Sequence, residues 1–339
     1  MTDLGLMFSF RNPPAVRRPF PEVYREELRL VREAEELGYD TVWLTEHHFA
    51  DDGYSPSILP IAAAIAATTE RIRIGLNLLL LPLHNAIRVA EDIATLDVIS
   101  DGRIDVGLGQ GYAPHEFDGY GIPLEERRSR FVEGIEVLTG LWTSDRFDHD
   151  GRHYRIRGAN LTPKPVQTPH PPLWIGATAE AGVRRAGRLG AHLLGLTSTR
   201  LQRVYEDALV EAGHDPAGSN VLQLHWTHVA PTDDEAWAQA APSFHHVLST
   251  YAGWANASAD ADKGGPRTVV PPLDQLRSSD RLMFTPLFGA PETVASGLRA
   301  SMAKVRTTHL ALGVLPALGY DATRRSMELF ITEAASRLS

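Results

Sequence analysis

The chain has 339 residues, 43% of them hydrophobic and 22% charged, with a formal net charge of −9. That length suits one large core, either a single α/β barrel or two ordinary domains, and no Lys/Arg cluster reads as a nucleic-acid stripe. The absence of cysteine excludes disulfides, thiolate nucleophiles and Cys-ligated metals.

The N-terminus, Met1 to Phe10, is too short for a signal h-region and precedes its charges instead of following them. The longest apolar run, Ile72 to Leu83, is interrupted by Arg73 and Asn77 and is too short to span a bilayer. A soluble, cytoplasmic protein without a membrane or nucleic-acid partner is expected.

In chain order, Leu4 to Phe8 reads as a short apolar strand, followed by a loop at Asn12-Pro13-Pro14. Glu22 to Leu37 is an amphipathic helix with Tyr24, Leu28, Val31 and Leu37 on its stripe. Thr41 to Phe49, Thr-Val-Trp-Leu-Thr-Glu-His-His-Phe, starts as a strand and ends in a carboxylate and two adjacent imidazoles. Strand alternation puts Trp43, Thr45 and His47 on one face and Val42, Leu44, Glu46 and His48 on the other. A titratable end on a buried strand needs partners; neighbours could satisfy it, or chemistry could use it.

Ile58 to Thr68 is an Ala-rich helix. Ile72 to Leu81 is a third strand, apolar enough for burial on both faces as in a parallel sheet. Ala86 to Ser100 is a helix, and Ile104 to Leu108 a fourth strand leading into Gly109-Gln110-Gly111-Tyr112. These glycines are not a dinucleotide fingerprint, because Pro114 intervenes and the segment belongs to the fourth strand, not the first; they suit a tight turn or a close ligand approach. Leu124 to Trp142 is helical, and Arg127, Arg128 and Arg130 crowd a helix start whose dipole opposes cations. Two of the three fit a solvated face, which leaves one free for another task.

Phe147 to Ile156 reads as a hairpin around Asp150-Gly151. The proline-laden Pro163 to Pro172 is extended and feeds a fifth strand, Leu173 to Ile175. Gly176-Ala177-Thr178-Ala179-Glu180 then opens a helix whose free N–H groups suit an anion. Further strands are expected at His192 to Leu196, Val221 to Val229 and His309 to Gly313, with helices at Leu201 to Ala212, Asp233 to Tyr251, Pro291 to Lys304 and Ala322 to Leu338. Gly253 to Asp280 reads as a long loop that is mobile without ligand and closes as a lid. Eight strand–helix units fit one (β/α)₈ TIM barrel, a single domain over 1–339, with a hairpin insertion before strand 5 and a long loop after strand 7.

The segment Asp40 to Phe49, together with Ala90-Glu91-Asp92, Ser100-Asp101-Gly102-Arg103 and Pro163-Lys164-Pro165-Val166-Gln167 through Trp174-Ile175-Gly176, resembles the corresponding segments of the luciferase-like monooxygenase superfamily, in the same order along essentially the whole chain. The resemblance implies a barrel that binds reduced FMN (FMNH2) at its strand ends. There O2 adds to the flavin as a C4a-peroxyflavin that oxygenates a small, largely apolar substrate. It further implies a separate flavin reductase and a homodimer. The cofactor carries the hard chemistry, while the protein orients it, keeps water away and supplies protons.

By the same resemblance His47 matches the catalytic histidine, a side chain suited to proton transfer near neutral pH. Arg128 matches the arginine on the flavin phosphate, Ala177, Thr178 and Ala179 match the backbone cradle, and Asn77-Leu78 matches a non-prolyl cis peptide under the isoalloxazine. Cofactor-binding residues are therefore expected at Asn77, Leu78, Gly109, Gln110, Arg128, Gly176, Ala177, Thr178, Ala179 and Glu180. The substrate pocket is expected at Phe8, Trp43, Trp174 and Trp226, with Phe10 nearby. Gln110 and Gly109 depart from the bacterial luciferase pattern, which has a second phosphate arginine and a cysteine there. No metal is expected, because adjacent histidines on a strand point apart. Two alternatives stay open: a deazaflavin-dependent dehydrogenase or reductase of the same superfamily, and a non-catalytic flavin-binding partner subunit. The intact Glu46-His47-His48-Phe49 argues against the second.

Overall fold

The apolar runs pair in parallel with one another around a closed barrel. The computed structural model describes residues 2–195, 198–261 and 267–338. The chain opens with β1 (Asp3–Phe8), α1 (Phe20–Leu37), β2 (Thr41–Leu44) and α2 (Ile58–Ala66). It continues with β3 (Arg73–Leu76), β4 (Leu79–Leu80), α3 (Ala86–Ser100), β5 (Ile104–Gly109), α4 (Pro114–Tyr120) and α5 (Arg127–Thr143). The antiparallel hairpin β6 (Phe147–Asp150) and β7 (Arg155–Ala159) precedes β8 (Leu173–Gly176), α6 (Glu180–Arg188), β9 (His192–Leu194) and α7 (Thr199–Glu211). The last part holds β10 (Val221–Val229), α8 (Asp233–Ala261), β11 (Leu287–Gly289), α9 (Pro291–Met302), β12 (His309–Gly313) and α10 (Tyr320–Leu329).

Eight strands close the barrel in the order β1-β2-β3-β5-β8-β9-β10-β12, with β12 pairing back onto β1. β11 lies outside that ring, pairing with the end of β10. The architecture is a single (β/α)₈ barrel, as its strand–helix rhythm predicts.

Alternation along the strands sorts side chains into two cores. Leu6, Phe8, Val42, Leu44 and Ile74 face the helices. Met7, Trp43, Trp174, Leu222 and Trp226 fill the barrel interior. Trp43 meets Trp174 edge-on, with ring centroids 5.4 Å apart. These indoles fit because glycines oppose them across the strand pairing. Trp43 pairs with Gly75, where an added Cβ would come within 2.1 Å of the indole, and Trp226 pairs with Gly313, where it would come within 2.6 Å. Truncating such a buried indole to alanine costs about 3–5 kcal/mol.

Several boundaries differ from the sequence reading. The third strand is two pieces, β3 and β4, separated by a cis Asn77–Leu78 peptide bond. Asn85 caps α3 by accepting from the N–H groups of Ile87 and Arg88, and Asp101, in the left-handed conformation, ends it. α8 runs on to Ala261 in spite of Pro242, so the expected loop from Gly253 begins nine residues too early. The reason is tertiary: Asn256 exchanges side-chain hydrogen bonds with the backbone of Thr268 at 2.8 and 3.0 Å, holding the returning chain against the helix. Residues 262–266 of that loop, and Leu196 of the sixth expected strand, lie outside the described residues. The terminal helix breaks from α into a π turn at Phe330–Ala334. No helix among the described residues is long and apolar enough to cross a membrane.

Candidate active site

A cavity of about 480 Å³ opens where the barrel strands end, lined by Met7, Thr45, Glu46, His47, Asn77, Leu78 and the segments that follow β5, β8 and β9. Gly109, Gln110, Gly176, Ala177, Thr178 and Trp226 all border it. The side chain of Leu78 reaches towards both Gly109 and Gly176, and an added Cβ would come within 2.9 Å of it at the first and 2.3 Å at the second.

The substrate-pocket expectation is corrected at three residues. Phe8 belongs to the outer core under the helices, because alternation along β1 turns Met7 inward in its place. Trp43 and Trp174 sit in the barrel interior without lining the cavity, since they lie on the strands proper and not at their ends. Phe10 is likewise in the outer core.

β2 stops at Leu44, so strand alternation does not govern Thr45 to His48. His47 nevertheless lines the cavity, and His48 is buried away from it. Glu46 lines the cavity too, against the alternation that grouped it with His48. His47 Nδ1 lies 2.9 Å from Glu116 Oε1, and the same oxygen accepts the His48 backbone N–H at 2.9 Å. A carboxylate accepts, so the hydrogen sits on His47 Nδ1 and Nε2 is left free to take or give a proton on its other side. Glu116 is fully buried and its Oε2 has no hydrogen-bond partner among the described residues. Sequence reasoning missed this residue: it sits on α4, a short helix not predicted from the sequence, about seventy positions from its partner, with no local signal.

Aromatic rings enclose His47. Trp254 lies at 4.2 Å between centroids, Tyr54 at 4.8 Å and Tyr251 at 5.7 Å. Tyr251 and Trp254 come from the part of α8 nearest the site, including the stretch expected as loop. The Tyr54 and Tyr251 hydroxyls are 2.8 Å apart, and burial pushes both phenols up. Behind them the wholly buried Arg11 stacks on Tyr54 at 4.8 Å, with its Nε 2.6 Å from Asp52. Burial raises the Asp52 carboxyl, but His246 and Arg11 outweigh it and hold the group at about 2.

At the start of α6 the N–H groups of Thr178, Ala179, Glu180 and Ala181 donate to no backbone carbonyl among the described residues, which leaves them available to an anion. The Glu180 side chain turns away to Arg184 and Arg200, so only its backbone serves this cradle. Arg128 is exposed on the first turn of α5 and borders a separate surface groove with Glu125, Glu136 and Arg152. Its place outside the cavity departs from the expectation; a long, flexible side chain on a helix start lies wherever solvent and neighbouring charges take it. Arg185 on α6 was not singled out. It stacks over Phe131 at 5.9 Å, its Nη1 is buried with no partner among the described residues, and burial followed by the charge of Arg128 lowers its pKa. Free amides, an unpartnered guanidinium nitrogen and an apolar cavity with one imidazole fit a phosphate-bearing flavin.

A family model described as luciferase-like monooxygenase matches residues 2–309. The chain is 23% identical over 334 residues to the oxygenase component of the flavin-dependent trigonelline monooxygenase of Acinetobacter baylyi, covering 94% of this chain and 91% of that protein. It is 29% identical over 333 residues to an F420-dependent glucose-6-phosphate dehydrogenase of Mycobacterium avium, covering 93% and 94%. One further relative aligns over only 171 residues, 50% of this chain and 49% of its own length. Among solved structures, monooxygenase RslO1 from Streptomyces bottropensis superposes with a TM-score of 0.85 at 26% identity, over 99% of this chain and 100% of that one.

Proposed function

The chain belongs to the luciferase-like monooxygenase family, and on that premise we propose that it is the oxygenase of a two-component flavin system. In this reading it takes reduced FMN from a separate reductase and uses O2 to oxygenate a small, largely apolar substrate. The observation that carries the reading is the His47–Glu116 pair opening onto an aromatic cavity beside a row of free amides.

When bound, the flavin supplies activation of dioxygen. The rest of the chemistry belongs to the chain. The amides of Thr178 to Ala181 and the guanidinium of Arg185 would hold the phosphate, and Arg128, whose charge reaches Arg185, would join them by turning in from its surface groove. Gly109 and Gly176 make room for the Leu78 side chain, which would give the ring an apolar wall at the cavity. Tyr54, Tyr251, Trp254 and Trp226 keep water from it. His47, fixed by Glu116 through Nδ1, holds or delivers a proton at Nε2.

A second reading is favoured by the neutral Gln110 and by likeness to the F420-dependent relative: hydride transfer with a deazaflavin, for which the same His47 would serve as acid or base. Rapid mixing of the protein with reduced FMN in air, alongside reduced deazaflavin, separates the two. Tight binding of reduced FMN with oxygen consumed and an oxygenated product is the expected result. Preferential binding of the deazaflavin, with no oxygen uptake, would move the chain to the second reading.

A further inference from the structure

Glu46 is the one carboxylate among the described residues lining the cavity. Its side chain is otherwise buried, and its Oε1 meets two imidazoles, His48 Nε2 at 2.7 Å and His84 Nε2 at 2.6 Å. The oxygen accepts, so both Nε2 atoms carry hydrogens. Glu46 Oε2 accepts from the Leu80 N–H at 3.4 Å. The His84 side chain is 25% exposed. The second imidazole also leads outward: His48 Nδ1 lies 3.2 Å from the hydroxyl of Tyr120, an exposed residue. Hydrogen bonds thus run without a break from the cavity wall to the surface.

Two contrasts give this network its meaning. A tetrahedral metal held at about 2.0–2.1 Å keeps its ligands roughly 3.3 Å apart; the three ligand atoms lie within 4.8 Å of one another, but contacts of 2.6 and 2.7 Å are those of shared protons. Among the described residues the His47–Glu116 pair has no such outlet, because Glu116 is fully buried and its second oxygen is unpartnered. A flavin seated in the cavity would close His47 off from bulk water, so its proton would need another supply.

We propose that His84 and Glu46 form a proton path between solvent and the cavity. Water protonates His84 at Nδ1, the Nε2 proton passes to Glu46 Oε1, and Glu46 releases it into the cavity, where His47 Nε2 receives it. The imidazole regains its starting tautomer by ring rotation or by exchange with water. One proton enters and one leaves, and no electrons move. The inference rests on the flavin reading above, which creates the demand for protons. The groups facing His84 are Glu46, the His48 ring at 6.1 Å and Asp92. Burial alone would favour the neutral ring, but Glu46 and then Asp92 outweigh it and raise the His84 pKa above its ordinary value.

The test has two arms. In the first, His84→Gly and His84→Gln are loaded with reduced FMN and oxidised by O2 in single turnover. The proton-dependent phase should slow by about a hundred-fold, the lower end for general acid–base groups, and free imidazole should restore it in His84→Gly with FMN affinity unchanged. An unaltered rate, or a slowing that imidazole leaves in place, overturns the proposal. The second arm needs no flavin. The His84 C2–H signal is titrated by NMR in wild type and in Glu46→Gln. A midpoint above the ordinary histidine value that falls in Glu46→Gln supports the path, and equal midpoints overturn it. Failure of the wild type to bind FMN would refute the cofactor reading alone, with the proton path then judged on the second arm.

Discussion

Glu116→Gln is the most informative single change in this protein. The glutamine carbonyl can still accept from His47 Nδ1 and from the His48 N–H, so packing and both contacts survive while the charge is lost. Glu116 is fully buried and 2.9 Å from the ring, so the solvent screening that weakens exposed pairs does not apply. A hydrogen bond to a charged group contributes about 1.5–3 kcal/mol, and each 1.36 kcal/mol or so is tenfold in rate. Glu116→Gln should therefore lower oxygenated product per reduced flavin by roughly ten- to a hundred-fold on that arithmetic. Oxygen should still be consumed, with hydrogen peroxide released in place of product, and reduced-FMN affinity should hold. His47→Ala should cost more, about 10²–10⁴-fold. Because the two residues act as one unit, the double variant should be no worse than His47→Ala alone. The assay is product and peroxide yield in single turnover beside a flavin titration. Full product yield from Glu116→Gln, or additive losses in the double variant, would refute the dyad.

The neighbouring histidine should behave differently: His48→Ala removes one partner of the buried Glu46 and should lower stability by about 1.5–3 kcal/mol in denaturant titrations, as His47→Ala does by removing a partner of the buried Glu116, but it should leave product yield per reduced flavin far higher than His47→Ala does. Arg128→Ala should weaken FMN binding by about ten-fold, the lower bound for a charge-assisted bond, without affecting riboflavin, which lacks the phosphate; an unchanged FMN-to-riboflavin ratio would remove Arg128 from the site. Burial raises the Glu27 carboxyl to about 8, so between its ordinary value and 8 the folded state holds a proton that the unfolded chain has lost, and stability falls as pH rises through that window. Glu27→Gln should accordingly raise the thermal midpoint at pH 8 and gain little at pH 4; equal gains at both would show that Glu27 does not titrate this way.

Much of the architecture was written locally. The strands Val221–Val229 and His309–Gly313 have the boundaries that the sequence predicts. The count of strand–helix units was enough for the barrel. His47 was legible as an imidazole at a strand's end, and Thr178, Ala179 and Glu180 as free amides at a helix start, because these depend on residue type and on neighbours a few positions away. What the chain alone could not reveal depends on contacts between distant segments. Trp43 fills the barrel interior only because Gly75 stands beside it on the next strand. α8 carries Trp254 onto His47 because Thr268 returns to hold Asn256. Glu116 and Glu46 become proton partners of His47 and His84 only when α4 and the segment before α3 close over the strand ends. A carboxylate's role is set by which imidazole lies within hydrogen-bonding distance of it, and closing the barrel brings together residues that lie tens of positions apart in the chain.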